Sequence, residues 1–202
     1  MTTRAFSCSR RTATRLLLLT PLMLAGCKAA TLPVKTVTPV GGPIRLGVSA
    51  IDILNEYAAP GVRPHIDHIL NPSPASRLMA WARETLTPAD DRGNLLMTIT
   101  RAALTEERLE GDESLKGLFT NEQTRLIRIE IEAYFSFSHP QSSRSATLTV
   151  KAAYETTIAE STTPNEADQV RLAVIDEGMG RFDAEFRRQL AQVAGGGGWP
   201  KA

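Results

Sequence analysis

The sequence predicts an α+β fold. The expected form is a two-layer sandwich: a roughly four-stranded, mainly antiparallel sheet with two helices on one face, in the order β-α-β-β-β-α. Three observations carry this. Segments 125–138 and 145–157 alternate apolar and polar residues with a period of two, the pattern of antiparallel strands wet on one side. From Leu172 to Val193 apolar residues recur every three or four positions, the pattern of an amphipathic helix. Such a helix needs an apolar surface to cover, and the dry face of the sheet supplies it.

Taken in order, "IRLGVSAIDIL" (44–54) opens the domain. Ile44, Leu46 and Val48 alternate, then the phase slips to Ile51 and Ile53, which reads as one strand with a bulge. A proline-punctuated loop follows. Ser73 is placed to cap a helix with Pro74 at its first position. Leu78, Met79, Ala82 and Leu86 give that helix its apolar stripe until Pro88, and residues 90–93 make a turn. "NLLMTITRAAL" is the next strand. In the strand after it, Ile127, Ile129, Ile131, Ala133, Phe135 and Phe137 face inward. Ala146, Leu148, Val150, Ala152 and Tyr154 do so in the last strand, with 139–143 as the hairpin loop between them. Thr163, Pro164 and Glu166 combine an N-cap, a proline at the first helical position and a capping-box glutamate. Leu172, Ile175, Met179, Phe182, Phe186, Leu190 and Val193 form the stripe of the final helix. Gly178 and Gly180 each cost about 1 kcal/mol there relative to alanine. A close approach to the sheet, or a kink, is the expected reason. The glycines at 195–198 end the helix.

The N-terminus reads differently. Arg4, Arg10, Arg11 and Arg15 precede an apolar run, "LLLLTPLML", with no acidic residue among them. The run is far shorter than the roughly 20 residues that cross a bilayer as a helix, and it suits the middle of a signal peptide. Leu24-Ala25-Gly26-Cys27 then resembles the lipobox of bacterial lipoproteins. That resemblance implies cleavage before Cys27 and acylation of its thiol and new amino group. Several acyl chains give stable anchoring, where one alone holds only marginally. Lys28 follows the cysteine rather than aspartate, which by the rule of enteric bacteria directs the protein to the outer membrane.

The domain organisation follows. Residues 1–26 are the signal peptide, 27–43 the lipidated cysteine and a flexible tether rich in proline and glycine, 44–194 a single α+β domain, and 195–202 a flexible Gly-rich tail. Removing 1–26 takes away four basic residues, so 23 basic against 22 acidic becomes 19 against 22, a net charge of −3. Nucleic acid is not an expected partner, because no basic cluster is present. Cys8 leaves with the signal and Cys27 is consumed by lipid, so the core must hold the fold without a disulfide.

Candidate chemistry is sparse. His65, Asp67 and His68 could contribute metal ligands, but a loop that fixes a chain reversal is the preferred reading, and no metal or cofactor is assigned. The acidic stretch from Glu106 to Glu113 reads as a solvated strand extension or loop. Leu118 and Phe119 follow it, either as a partner-contact pair on a loop or as a lid on the core. Trp199 in the tail has the same two readings, with a disordered tail favoured over both. No G-x-S-x-G elbow, H-E-x-x-H pair or phosphate loop is present, and the chain is read as non-enzymatic.

The layout as a whole resembles two families. One is the auxiliary lipoproteins of ABC-type lipid transport systems, including paraquat-inducible and toluene-tolerance types. The other, at a greater distance, is the LPS-assembly lipoprotein that plugs an outer-membrane barrel. "IDILNEYAAPGVRPHIDHI" followed by "RLMAWARETL" is similar to the auxiliary group, in which a strand and a tyrosine precede the first helix. The resemblance implies a lipoprotein on the periplasmic face of the outer membrane, an accessory or assembly component of an envelope transport system. Lipid or glycolipid binding between helices and sheet is the alternative, and an envelope hydrolase a third. The resemblance assigns no residue a role.

Overall fold

A computed structural model describes residues 41–109, 123–139 and 144–195. The elements are β1 (Ile44–Leu46), β2 (Ala50–Asn55), a 3₁₀ turn (Asp67–Ile69), α1 (Pro74–Thr85), β3 (Leu86–Pro88), β4 (Asn94–Arg108), β5 (Gln123–His139), β6 (Arg144–Ala159) and α2 (Pro164–Gly195). Strands β2-β4-β5-β6 form the main sheet in that order. β4, β5 and β6 are antiparallel neighbours, whereas β2 runs parallel to β4. The fold is the α+β sandwich the sequence predicts.

Period-two patterning fixes the faces. Ile127, Ile129, Ile131, Ala133, Phe135 and Phe137 are all buried, and the intervening side chains lie on the open face. β5 and β6 keep register as far as His139↔Arg144, as a hairpin requires; residues 140–143 lie outside the described residues. The capping box at α2 is present: the Thr163 N–H donates to Glu166 Oε2 at 2.9 Å, and the Glu166 N–H donates to Thr163 Oγ1 at 3.4 Å.

The first strand is corrected. Segment 44–54 is two strands in two sheets, not one strand with a bulge. β1 pairs with β3 in a small parallel sheet, and β2 pairs with β4. Between them the Val48 N–H folds back onto Leu46 O at 2.7 Å, and the Ala89 N–H donates to Leu46 O at 2.8 Å. Leu46 and Val48 are both fully buried, so the chain turns there to bury both rather than bulging outward. A bulge does occur elsewhere. The β4–β5 register shifts between Ile99 and Arg101, so Thr100 is the extra residue. Inward positions change from Leu95, Met97 and Ile99 to Ala102 and Leu104.

Helix α1 starts as predicted. Ser73 Oγ accepts the Ser76 N–H at 3.3 Å, and Pro74 occupies the first helical position. Ser73→Ala should therefore lower unfolding free energy by about 1 kcal/mol in urea titration. No measurable loss would show that the cap contributes nothing. The helix ends one residue before the expected stripe does. Leu86 is buried as the first residue of β3, and its N–H still donates to Ala82 O. No helix among the described residues is long and apolar enough to cross a membrane.

Candidate functional site

Among the described residues, polar side chains gather at several places. The first lies between the helices. Phe135 of β5 meets Phe186 at 4.6 Å and Phe182 at 6.3 Å between ring centroids. Trp81 of α1 stands edge-on to both phenylalanines, at 5.1 and 5.5 Å. Within this aromatic packing sits Asp183, only 1% exposed. The Trp81 indole N–H donates to its Oδ1 at 3.0 Å, and Arg187 Nε donates to its Oδ2 at 2.8 Å. Arg187 Nη2 then donates to Gly42 O at 2.7 Å. Gly42 has a positive φ of 68°, a conformation glycine adopts without strain. A buried carboxylate thus holds, through one arginine, the end of the segment that leads back to Cys27. A neighbouring ion pair, Arg77–Asp176, joins the two helices.

The second place is the loop ahead of α1. The Tyr57 hydroxyl donates to Asp67 Oδ2 at 2.9 Å. Burial, then the hydrogen bond to Asp67, pushes the Tyr57 hydroxyl well above its ordinary pKa. Asp67 is 2% exposed, and its Oδ1 faces His65 Nδ1 at 3.7 Å. His68 is exposed. A cavity of about 330 Å³ opens beside them, lined by Asn55, Tyr57, Asp67, His68, Ser73 and neighbours. The backbone shows what the loop does. The Ile66 N–H donates to Leu104 O and the Glu106 N–H donates to Pro64 O, each at 2.8 Å. Residues 64–66 thereby continue the edge of β4 beyond the end of β2. Among the described residues, no group of three or more His, Cys, Asp or Glu is placed to hold a metal ion.

The third place is the open face of the sheet. At one end Leu54, Leu96 and Tyr134 are exposed by 45%, 40% and 38%. Leu54 neighbours Thr98, Thr98 pairs with Tyr134, and Leu96 lies two residues from Thr98 on the same face, so the three form one patch. Further along, charges cross the strands. Arg101 pairs with Glu130 at 2.6 Å, Lys151 with Glu132 at 3.1 Å, and Arg128 with Glu155 at 2.6 Å. At the end of the inner face Glu106 is buried between Arg125 and Arg171, which donate to it at 2.7–3.0 Å. The acidic stretch therefore begins inside β4, and its first member is not solvated.

On α2, Gln189 reaches across to β6. Its amide donates to Thr149 O at 3.1 Å and to Glu185 Oε1 at 2.7 Å. Hydrogen bonds from Arg188, then Gln189, hold the Glu185 carboxyl at about 2, below the ordinary 4.5. A depressed carboxyl pKa gives stability that is present above the unfolded value and lost as pH falls through the folded one. Wild type and Glu185→Gln should thus differ in Tm at neutral pH and converge between about pH 4.5 and 2. A difference that is unchanged at pH 2 would refute the assignment.

Of the positions singled out from sequence, Cys27, Leu118, Phe119 and Trp199 lie outside the described residues. His65 and Asp67 come together; His68 lines the cavity but makes no ion pair with them. Asp183 was missed. Its signal was a lone carboxylate next to Phe182 on an apolar helix face, four residues before an arginine.

The sequence matches no protein-family model and no curated protein. Solved structures with a similar chain path include a minor lipoprotein from Acinetobacter baumannii, with 12% identity, 71% of this chain and 91% of that one covered, and a TM-score of 0.37. A protein from Caulobacter crescentus described as a lipoprotein has 13% identity, 74% and 93% coverage, and a TM-score of 0.40. A protein from Xanthomonas campestris has 13% identity, 73% and 85% coverage, and a TM-score of 0.34.

Proposed function

We propose that the chain is a lipoprotein anchored through acylated Cys27 on the periplasmic face of the outer membrane. There it serves as a non-enzymatic accessory or assembly component of an envelope transport system. The observation that supports this most is the division of the sheet into two unlike faces. The inner face is filled: Phe135, Phe182, Phe186 and Trp81 interlock, and Gly178 of α2 comes so near the sheet that a Cβ there would lie 2.6 Å from Ile129 Cγ2. Among the described residues no helix covers the outer face, which leaves the Leu54, Leu96 and Tyr134 patch available to a partner protein. Packing at that inner face favours a protein contact outside the sandwich over a lipid held between helices and sheet.

Two measurements test the reading. Cells grown with labelled palmitate should transfer label to the wild-type chain and none to Cys27→Ser, which should also leave the membrane fraction. Unlabelled wild type would refute the anchor. Detergent extracts should yield envelope transport components with the wild-type chain and lose them with Leu96→Glu, whose side chain is exposed. Repeated recovery of the chain alone, or of native lipid with no protein, would refute the accessory role.

A further inference from the structure

The outer edge of β6 is the longest unpaired backbone in the described domain. β6 ends the strand order of the main sheet, and among the described residues no strand pairs with its outer edge. It runs for 16 residues without proline, and β-branched residues recur along it. Natural sheets seldom leave such an edge uncovered. Two side chains from α2 touch it: Arg181 Nη1 donates to Ala153 O at 3.3 Å, and Gln189 Nε2 donates to Thr149 O at 3.1 Å. These contacts show which residues aim their backbone groups at the edge. Thr149 and Ala153 both do, so the odd-numbered residues of β6 present N–H and C=O outward.

The charges on those odd positions restrict what can dock. Lys151 and Glu155 are 68% and 53% exposed and stand four residues apart, with Ala153 midway. When a strand pairs antiparallel with a copy of itself, the register is fixed by the residue on the two-fold axis. An axis at residue 151 would set Lys151 against Lys151, and one at 155 would set Glu155 against Glu155. With the axis at Ala153, each Lys151 faces the other copy's Glu155. The row across the sheet then alternates in sign: Arg101, Glu132 and Lys151 of one copy continue into Glu155 and Arg128 of the other. Ala153, the smallest side chain of the three, falls on the axis, where it faces its own copy across a hydrogen-bonded pair. Shallow hollows of about 490 and 320 Å³ flank it on the same chain.

We infer that β6 is a self-association surface, on which two copies pair antiparallel about Ala153 and join their main sheets into one. The N–H groups of the second copy replace Arg181 and Gln189 at the edge carbonyls. Arg181 and its counterpart approach the axis on the helix side, each beside its own Glu177 at 3.1 Å and over its own Tyr154 ring at 4.6 Å. The inference goes beyond the accessory role and does not rest on it.

Disulfide trapping in intact cells tests it with the full-length chain. Residues on such an axis have Cα atoms roughly 5.5 Å apart, inside disulfide range. After mild oxidation, Ala153→Cys should run as a covalent dimer of this chain. The parent chain and Thr147→Cys, whose partner position is 159, should not. Adding Lys151→Glu or Glu155→Lys to Ala153→Cys should cut the dimer yield roughly tenfold, because two symmetry-related pairs become repulsive. Co-expressing those two variants should restore it, since each then supplies the charge the other lacks. Sedimentation of the unmodified chain in detergent should show the same order. A monomeric Ala153→Cys chain, a cross-link to a different protein, or indifference to the charge changes would each overturn the inference.

Discussion

Asp183→Ala should lower the unfolding free energy by about 3–5 kcal/mol, the cost of removing one partner from a buried ion pair. Asp183 is 1% exposed and satisfies two donors at once, the Trp81 indole and the Arg187 guanidinium. Without it the indole N–H is left unpaired among Phe182, Phe186 and Phe135, and Arg187 loses its counter-charge. Domains of this size have only about 5–15 kcal/mol to lose, so the variant should be visibly compromised in urea. Asp183→Asn keeps an acceptor for Trp81 and should cost less, about 1.5–3 kcal/mol, the range of hydrogen bonds to charged groups. A second readout separates this network from general core damage. Arg187 also holds Gly42 O, so in Asp183→Asn the backbone at 41–43 should be cut faster by protease while the sheet remains protected. A loss under 1 kcal/mol for the alanine variant, or unchanged cleavage near Gly42, would show that Asp183 does not hold this corner together.

Asp183 also shows where the sequence stops being legible. The helix stripe of Ile175, Met179, Phe182, Phe186 and Leu190 is readable because each apolar residue reports its own burial. A buried carboxylate reads locally as a surface residue; only the tertiary placement of Trp81, 102 positions away, reveals that it is paired. Phase slips show a related limit. Between Val48 and Ile51 and again between Ile99 and Ala102, the inward residues change parity. The first slip is a break between two sheets and the second a bulge within one strand. Periodicity reports that the parity changes, but hydrogen-bonding partners decide which device produces it. The capping signals at Ser73 and Thr163 were legible because a cap is completed within three residues.

The outer face was legible as a wet surface, yet not as a surface with zones. Strand patterning places Arg101, Glu130, Glu132 and Lys151 on it, but the exposure of Leu54, Leu96 and Tyr134 at one end depends on the register of three strands. The parallel placement of β2 beside β4 is what brings Leu54 to the patch. A crossover through α1 makes that placement possible, because a short hairpin would force the two strands antiparallel.

Gly178 and Gly180 of α2 should respond to alanine with opposite signs. A Cβ at Gly178 would lie 2.6 Å from Ile129 Cγ2, inside any real contact distance. Ile129 is fully buried in a central strand, and its branch at Cβ leaves Cγ2 little freedom to move away. Gly178→Ala gains about 1 kcal/mol of helix propensity but meets an overpacking cost of about 1–3 kcal/mol, so the net is a loss. At Gly180 an added Cβ meets nothing within 4 Å. Gly180→Ala should therefore stabilise by about 0.5–1 kcal/mol, chiefly by restricting the unfolded chain. The expected kink or close approach thus applies to Gly178 alone; at Gly180 the structure gives no packing reason for glycine. The double-mutant cycle with Ile129→Ala isolates the clash. If Cγ2 is the obstacle, Gly178→Ala should turn from destabilising to neutral or stabilising once Ile129 is truncated. Equal effects of the two alanines in urea titration, or no coupling to Ile129, would refute the close helix–sheet approach.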